Sequence, residues 1–250
     1  MTYPFYIFLG LIPSLIWLSF YLRKDVHPEP KTMIIKVFIW GMLISPIAFV
    51  LEFLLQWLFH PYMNLQEIIS SLNQIPTSLL GIIINAAFIP AIVEEILKYQ
   101  VVKKKVLNNP QFDEPIDAMV YCIVVALGFA AVENILSVIL VNNWQETLLT
   151  LGARFVGATF LHVLATGILG YYIALSIFYT KHRKKFLLFG LTIAISFHMT
   201  FNYLVSMLYN GKIFVVIITA CLMIFASLML SWFFESLKQL KSICKISAKL

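Results

Sequence analysis

Charge is what this chain has least of. Only 12% of its 250 residues are Asp, Glu, Lys or Arg, against about 25% in a soluble domain, which argues against an ordinary solvated globule. Cysteine is also sparse. Cys122, Cys221 and Cys244 lie in or beside apolar segments with no Cys-x-x-Cys spacing, so neither a disulfide framework nor a thiolate metal site is indicated. The period-2 alternation in segments of about ten residues that a membrane β-barrel needs is missing. Gly-x-Ser-x-Gly, a Ser/Lys pair and His-Glu-x-x-His are absent too, so a serine or zincin-type hydrolase is not indicated. The first apolar segment has no basic lead-in and no small-residue cleavage site, so it reads as a retained helix. No internal repeat, low-complexity tract or soluble domain is visible.

What is present is apolar length. Hydrophobic residues make up 61% of the chain, and phenylalanine alone contributes 21. The apolar runs are near-continuous over 19 or more residues, so the expected fold is all-α, a polytopic bundle of membrane-spanning helices. About seven spans are expected, near 4–22, 33–59, 79–102, 115–141, 148–179, 186–209 and 213–236. Residues 1–250 read as one integral membrane domain, with a motif-bearing core at about 79–205. The stretch 60–78, with Pro61, Asn64, Asn73 and Pro76, reads as a loop with a short interfacial helix.

Basic residues give the orientation. Arg23, Lys24, Lys31 and Lys36, then Lys103, Lys104 and Lys105, then Lys181, Arg183, Lys184 and Lys185, occupy alternate connections, and Lys238, Lys241, Lys245 and Lys249 occupy the tail. The opposite connections hold only Lys212. The positive-inside rule then puts the N-terminus outside and the C-terminus in the cytoplasm. The surplus of +6 therefore reads as membrane topology, with the lipid bilayer as partner and no nucleic acid.

Against this background four spans carry polar groups deep inside them: Glu94, Glu95 and Lys98; Phe129, Glu133 and Asn134; Arg154 and His162; His198 and Asn202. A charge at the bilayer centre costs roughly 2.5–3.5 kcal/mol on insertion scales, so such groups face one another or a water-filled cavity, and a functional site is the default reading. Glu94 and Lys98 share a helix face, as do His198 and Asn202, and Phe129 and Glu133, each pair four residues apart. Glu95 points about 100° away from Glu94. Pro90 removes a backbone hydrogen bond just before the acidic pair and is expected to kink the third span. His162 and His198 fall near the bilayer midplane.

Each feature also has a plainer explanation. Glu94 and Lys98 alone make a packing ion pair, and Asn134 or Asn202 makes interhelical hydrogen bonds worth about 0.6 kcal/mol. Arg154 is placed either to snorkel to the outer interface or to join the site. Glu52 reads as interfacial, and Trp57, Trp144 and Trp232 as interface anchors. The concurrence of these polar residues in four consecutive spans favours chemistry. A carboxylate in apolar surroundings is a general base for water, histidine orients water or protonates a leaving amine, and an amide stabilises an oxyanion. Zinc on His162, His198 and a glutamate is chemically feasible, though their spacing does not demand it. No cofactor is expected, with zinc left open.

The order Glu-Glu-x-x-Lys, Phe-x-x-x-Glu-Asn, Arg…His and His-x-x-x-Asn resembles the PrsW family of intramembrane proteases. That family falls within the group containing the CAAX prenyl endopeptidases and bacteriocin-processing homologues. Arg23-Lys24-Asp25 followed by Pro28-Glu29-Pro30 looks similar to the same family, and the likeness covers roughly residues 4–205. The resemblance implies a glutamic-type intramembrane endopeptidase acting on a membrane-anchored protein. The family prototype makes the first cut in a membrane-anchored anti-sigma factor, starting the regulated proteolysis that frees a sigma factor. By the same resemblance Glu94, Glu95, His162, His198 and Asn202 would be catalytic, with Glu94 the water-activating base. Lys98 would hold the acidic pair's geometry, and Glu133 matches the acid of an additional family motif. Asn134 and Arg154 stand beside these as supporting residues. Two other functions compete. A non-catalytic scaffold or receptor on the same fold is disfavoured by the intact acidic pair. A proton-coupled transporter is disfavoured by the lack of inverted repeats and paired broken helices.

Overall fold

A computed structural model of the chain describes residues 3–25, 27–59, 87–141, 143–208 and 213–240. The stretch 60–78, the first part of the expected third span (79–86), and the tail from 241 lie outside the described residues. Helices dominate, and no strand occurs among the described residues. They are α1 (Tyr3–Leu22), α2 (Lys31–Phe59), α3 (Ile89–Val101, continued by a π-helical turn Val102–Val106), α4 (Pro115–Ile139), α5 (Trp144–Val156), α6 (Ala158–Phe178), α7 (Arg183–Leu208) and α8 (Ile213–Lys238). By length and composition six described stretches can cross a membrane: α1, α2, α4, α5 with α6 as one unit, α7 and α8. The third expected span is described only from residue 87.

α4 is the hub, packed on α1, α2 and α6. Its sequence explains this. It is apolar on all sides, which is the pattern of a buried helix, and Ala118, Ala126, Gly128, Ala130 and Ala131 keep its surface thin enough for close approach. At Gly128 an added Cβ would run into the Phe38 carbonyl oxygen of α2, and at Gly41 into the Val125 carbonyl oxygen of α4. Only a pair of glycines allows this α2–α4 crossing. α4 starts at Pro115, where a missing N–H is harmless. Glu114 and Asp117 cap it reciprocally. α6 packs on α4 from one side and on α7 and α8 from the other, and α3 packs on α2 and α7. Large apolar residues of α2, α7 and α8, such as Leu43, Leu188 and Ile217, stay exposed, which suits a lipid-facing surface.

The expected fifth span, 148–179, is not one straight helix. It bends at Gly157, whose backbone (φ −102°, ψ −99°) leaves the helical region. Gly157 still donates to Ala153 O and accepts from Leu161 N–H, so the chain kinks and continues. The Phe155 carbonyl at the bend accepts the Trp17 indole N–H of α1 at 2.9 Å. Arg154 therefore lies just before the kink and His162 just over a turn after it. Pro90 falls in the first turn of α3 as described, and a π-type turn at Ala87 and Phe88 precedes it.

Candidate active site

Lys98 sits at the centre of the polar residues. Its side chain is fully buried, and its ammonium has three N–H donors and no acceptor. It donates to Glu94 Oε2 at 3.1 Å and Glu95 Oε1 at 2.9 Å, and it lies 2.8 Å from His162 Nδ1. Its charge also lies 4.4 Å from the centre of the Phe129 ring, a cation–π contact. The i, i+3 and i, i+4 spacings bring both glutamates of α3 to one amine, although the carboxylates leave the helix in different directions.

The tautomers follow from donor counting. A lysine ammonium can only donate, so His162 Nδ1 accepts, and His162 Nε2–H donates to Glu133 Oε2 at 2.9 Å. His198 Nδ1 lies 2.9 Å from Glu95 Oε1. A carboxylate only accepts, so His198 Nδ1 carries a proton, and in the neutral imidazole Nε2 is then the acceptor. That nitrogen lies 3.9 Å from Glu94 Oε2. Glu95 is spent on both oxygens, because Thr166 donates to its Oε2 at 2.9 Å, and it is fully buried.

A second set of contacts extends the network. Arg154 donates to Glu133 Oε2 at 2.9 Å and to Asn134 Oδ1 at 2.5 Å, and Asn134 donates to Thr159 Oγ1 at 3.0 Å. Arg154 therefore joins this network and does not snorkel to the interface, on a helix that packs against α4. Glu52, expected at the interface, is only partly exposed and interacts electrostatically with Glu133 and Lys98.

These residues border a cavity of about 240 Å³ walled by Glu94, Glu133, Arg154, His162, His198, Asn202 and Ser206. Glu94 faces it, whereas Glu95 is not among its lining residues. All nine residues singled out from the sequence meet in this one region. Phe129 supplied a motif letter without a role, and its ring packs against both Lys98 and His162. Thr159 and Thr166 were missed. Their signal was their spacing on α6, three residues before and four after His162.

The donor set also suits a metal. Glu94, His162 and His198 each offer a ligand atom within 4.8 Å of the others. Glu94 Oε2 lies 3.7 Å from His162 Nδ1 and 3.9 Å from His198 Nε2, slightly wider than the separations set by zinc bonds of about 2.0–2.2 Å. Two imidazoles and a carboxylate are a familiar zinc ligand set. The Lys98 ammonium already holds two of those three groups.

A helix bundle with lipid-type outer faces, enclosing a polar chamber with a carboxylate and a free imidazole nitrogen on its wall, is built as an intramembrane hydrolase. Residues 29–230 match the family described as PrsW family intramembrane metalloprotease. The chain belongs to the PrsW family and is an intramembrane protease, a multi-pass membrane protein. It is 29% identical over 196 residues to Protease PrsW of Geobacillus kaustophilus, covering 78% of this chain and 77% of that protein. It is 30% identical over 198 residues to Protease PrsW of Oceanobacillus iheyensis, covering 79% and 81%. With Protease PrsW of Bacillus subtilis it shares 27% identity over 206 residues, 80% and 83% of the two chains. No solved structure matches.

Proposed function

We propose that this protease is of the glutamic type, with Glu94 as the base that activates water. The observation that carries the reading is the asymmetry of the acidic pair: Glu94 borders the cavity, while both oxygens of Glu95 are held by Lys98, His198 and Thr166. A water about 2.8 Å from both Glu94 Oε2 and His198 Nε2 bridges the 3.9 Å between them. Glu94 takes one proton from that water while the water oxygen bonds to the scissile carbonyl carbon, and the resulting tetrahedral intermediate collapses with cleavage of the C–N bond as the proton passes to the leaving amine. With the free nitrogen of His198 an acceptor, oxyanion donors are sought among the Arg154 guanidinium and the Asn202 amide, both on the cavity wall. A donor of this kind can be worth roughly 2.7–4 kcal/mol. Glu95, Lys98, His162 and Glu133 act as positioning residues.

If the protein binds a metal here, Glu94, His162 and His198 would hold it, and it would supply Lewis-acid polarisation and a water of lowered pKa. The proposed substrate is a membrane-anchored protein. The family resemblance makes a membrane-anchored anti-sigma factor the first candidate.

Glu94→Gln and His198→Ala should leave the protein inserted and folded while cleavage of a co-expressed membrane-anchored substrate falls at least about 100-fold. Wild-type cleavage by both variants would overturn the proposal. Substrates come from comparing membrane-protein fragments in cells carrying the wild-type chain or Glu94→Gln, since true products appear only with the former.

A further inference from the structure

A second group of carboxylates gathers away from the chamber, where the connection between α1 and α2 meets the start of α4. Asp25, Glu29 and Asp117 each bring an oxygen within 4.8 Å of the others. One oxygen of each is anchored. Asp25 Oδ1 accepts the His27 amide at 3.1 Å. Asp117 Oδ2 accepts the Asp113 and Glu114 amides at 2.9 and 2.7 Å. Glu29 Oε2 accepts the Tyr121 hydroxyl.

The other oxygen of Asp25 is the anomaly. Asp25 is 7% exposed, and its Oδ2 is buried without any hydrogen-bond partner among the described residues. Leaving such a group unsatisfied is costly, the more so if it is charged. Crowding adds repulsion. Burial, followed by the neighbouring Glu114, pushes the Asp25 carboxyl above its usual range, and burial, followed by Asp25 and Asp113, does the same to Glu29. Among the described residues no lysine or arginine pairs with any of the three, and His27 pairs with Glu114 instead, at 2.8 Å. A proton shared between Glu29 and Asp117, which lie within hydrogen-bonding reach, relieves those two and leaves Asp25 Oδ2 unsatisfied.

We propose that Asp25, Glu29 and Asp117 form a binding site for a hard divalent cation of the magnesium or calcium class. All three donors are carboxylate oxygens, the ligands such ions take, with no nitrogen or sulfur to favour zinc or copper. The cation fastens the α1–α2 connection to the first turn of α4, on the side that the basic residues assign to the cytoplasm. The site is separate from the Glu94 chamber and does not depend on the catalytic proposal.

The test is thermal unfolding of the purified full-length protein in a neutral detergent, titrated with magnesium or calcium chloride. Wild type and Glu94→Gln should both show a saturable rise in Tm, as expected for an ion that binds the folded state. Asp25→Asn, which keeps the shape and removes the charge, should lose it. An absent rise in wild type, or an equal rise in Asp25→Asn, would overturn the proposal. If Asp25→Asn does not fold, terbium luminescence decides: ions bound beside Tyr121 should be sensitised by it, displaced by calcium and clearly dimmer in Tyr121→Phe. Unchanged luminescence in Tyr121→Phe overturns the assignment.

Discussion

Replacing Lys98 by methionine keeps most of the side-chain volume and removes the ammonium that contacts Glu94, Glu95 and His162 together. Three contacts of 3.1, 2.9 and 2.8 Å disappear. At about 1.5–3 kcal/mol for each hydrogen bond to a charged group, simple addition would give well over 4 kcal/mol. The true loss is smaller, because an abandoned buried carboxylate takes up a proton and Glu95 keeps His198 and Thr166. Breaking a buried pair by removing one partner typically costs about 3–5 kcal/mol, and that is the expected destabilisation. At about 2–4 °C per kcal/mol for a chain of this size, the midpoint of thermal unfolding in detergent should drop by about 6–20 °C. Adding Glu95→Gln should restore part of the loss, since one of the stranded charges goes with it. A Lys98→Met variant within about 1 kcal/mol of wild type, or a double variant no more stable than the single one, would refute the view that this ammonium holds the site together.

Gly128→Ala should destabilise the protein by about 1–3 kcal/mol, because the new methyl meets the backbone of α2 at Phe38 and cannot be accommodated by a rotamer change. Gly152→Ala is the control: nothing lies within 4 Å of its Cβ position, so unfolding should be unchanged or harder by up to about 1 kcal/mol. Arg154→Leu should slow cleavage about 10- to 100-fold through loss of its bonds to Glu133 and Asn134. Arg154→Lys should not rescue it, because an ammonium cannot reproduce the two-nitrogen fork; a Lys variant cleaving at the wild-type rate contradicts that geometry. Cleavage by purified protein should persist after exhaustive chelation, with Lys98 already supplying positive charge between Glu94 and His162. Loss of activity reversed by zinc alone would move the chemistry to a cation on Glu94, His162 and His198.

The amino-acid sequence by itself determined the class of fold and named most of the polar residues that gather at the candidate site. A helix in hydrocarbon must satisfy its own backbone, so long apolar runs dictate helices without reference to neighbours. The high cost of charge at that depth makes Glu94, Lys98, Glu133, His162 and His198 stand out singly. Spacing shows that Lys98 can reach Glu94 and Glu95 within α3, but the contacts that tell these residues apart join different helices. The distinction between Glu94 on the cavity wall and Glu95 behind it depends on Thr166 and His198 arriving from α6 and α7. Arg154 lies just before a bend at Gly157 that the sequence does not announce, since glycines at 152 and 157 sit alike in the same span. The unpartnered oxygen of Asp25 is visible only once α4 places Asp117 beside the α1–α2 connection. Hydropathy is a property of each residue and survives in one dimension, whereas proton positions and charge pairing are properties of neighbours, and only tertiary packing chooses those.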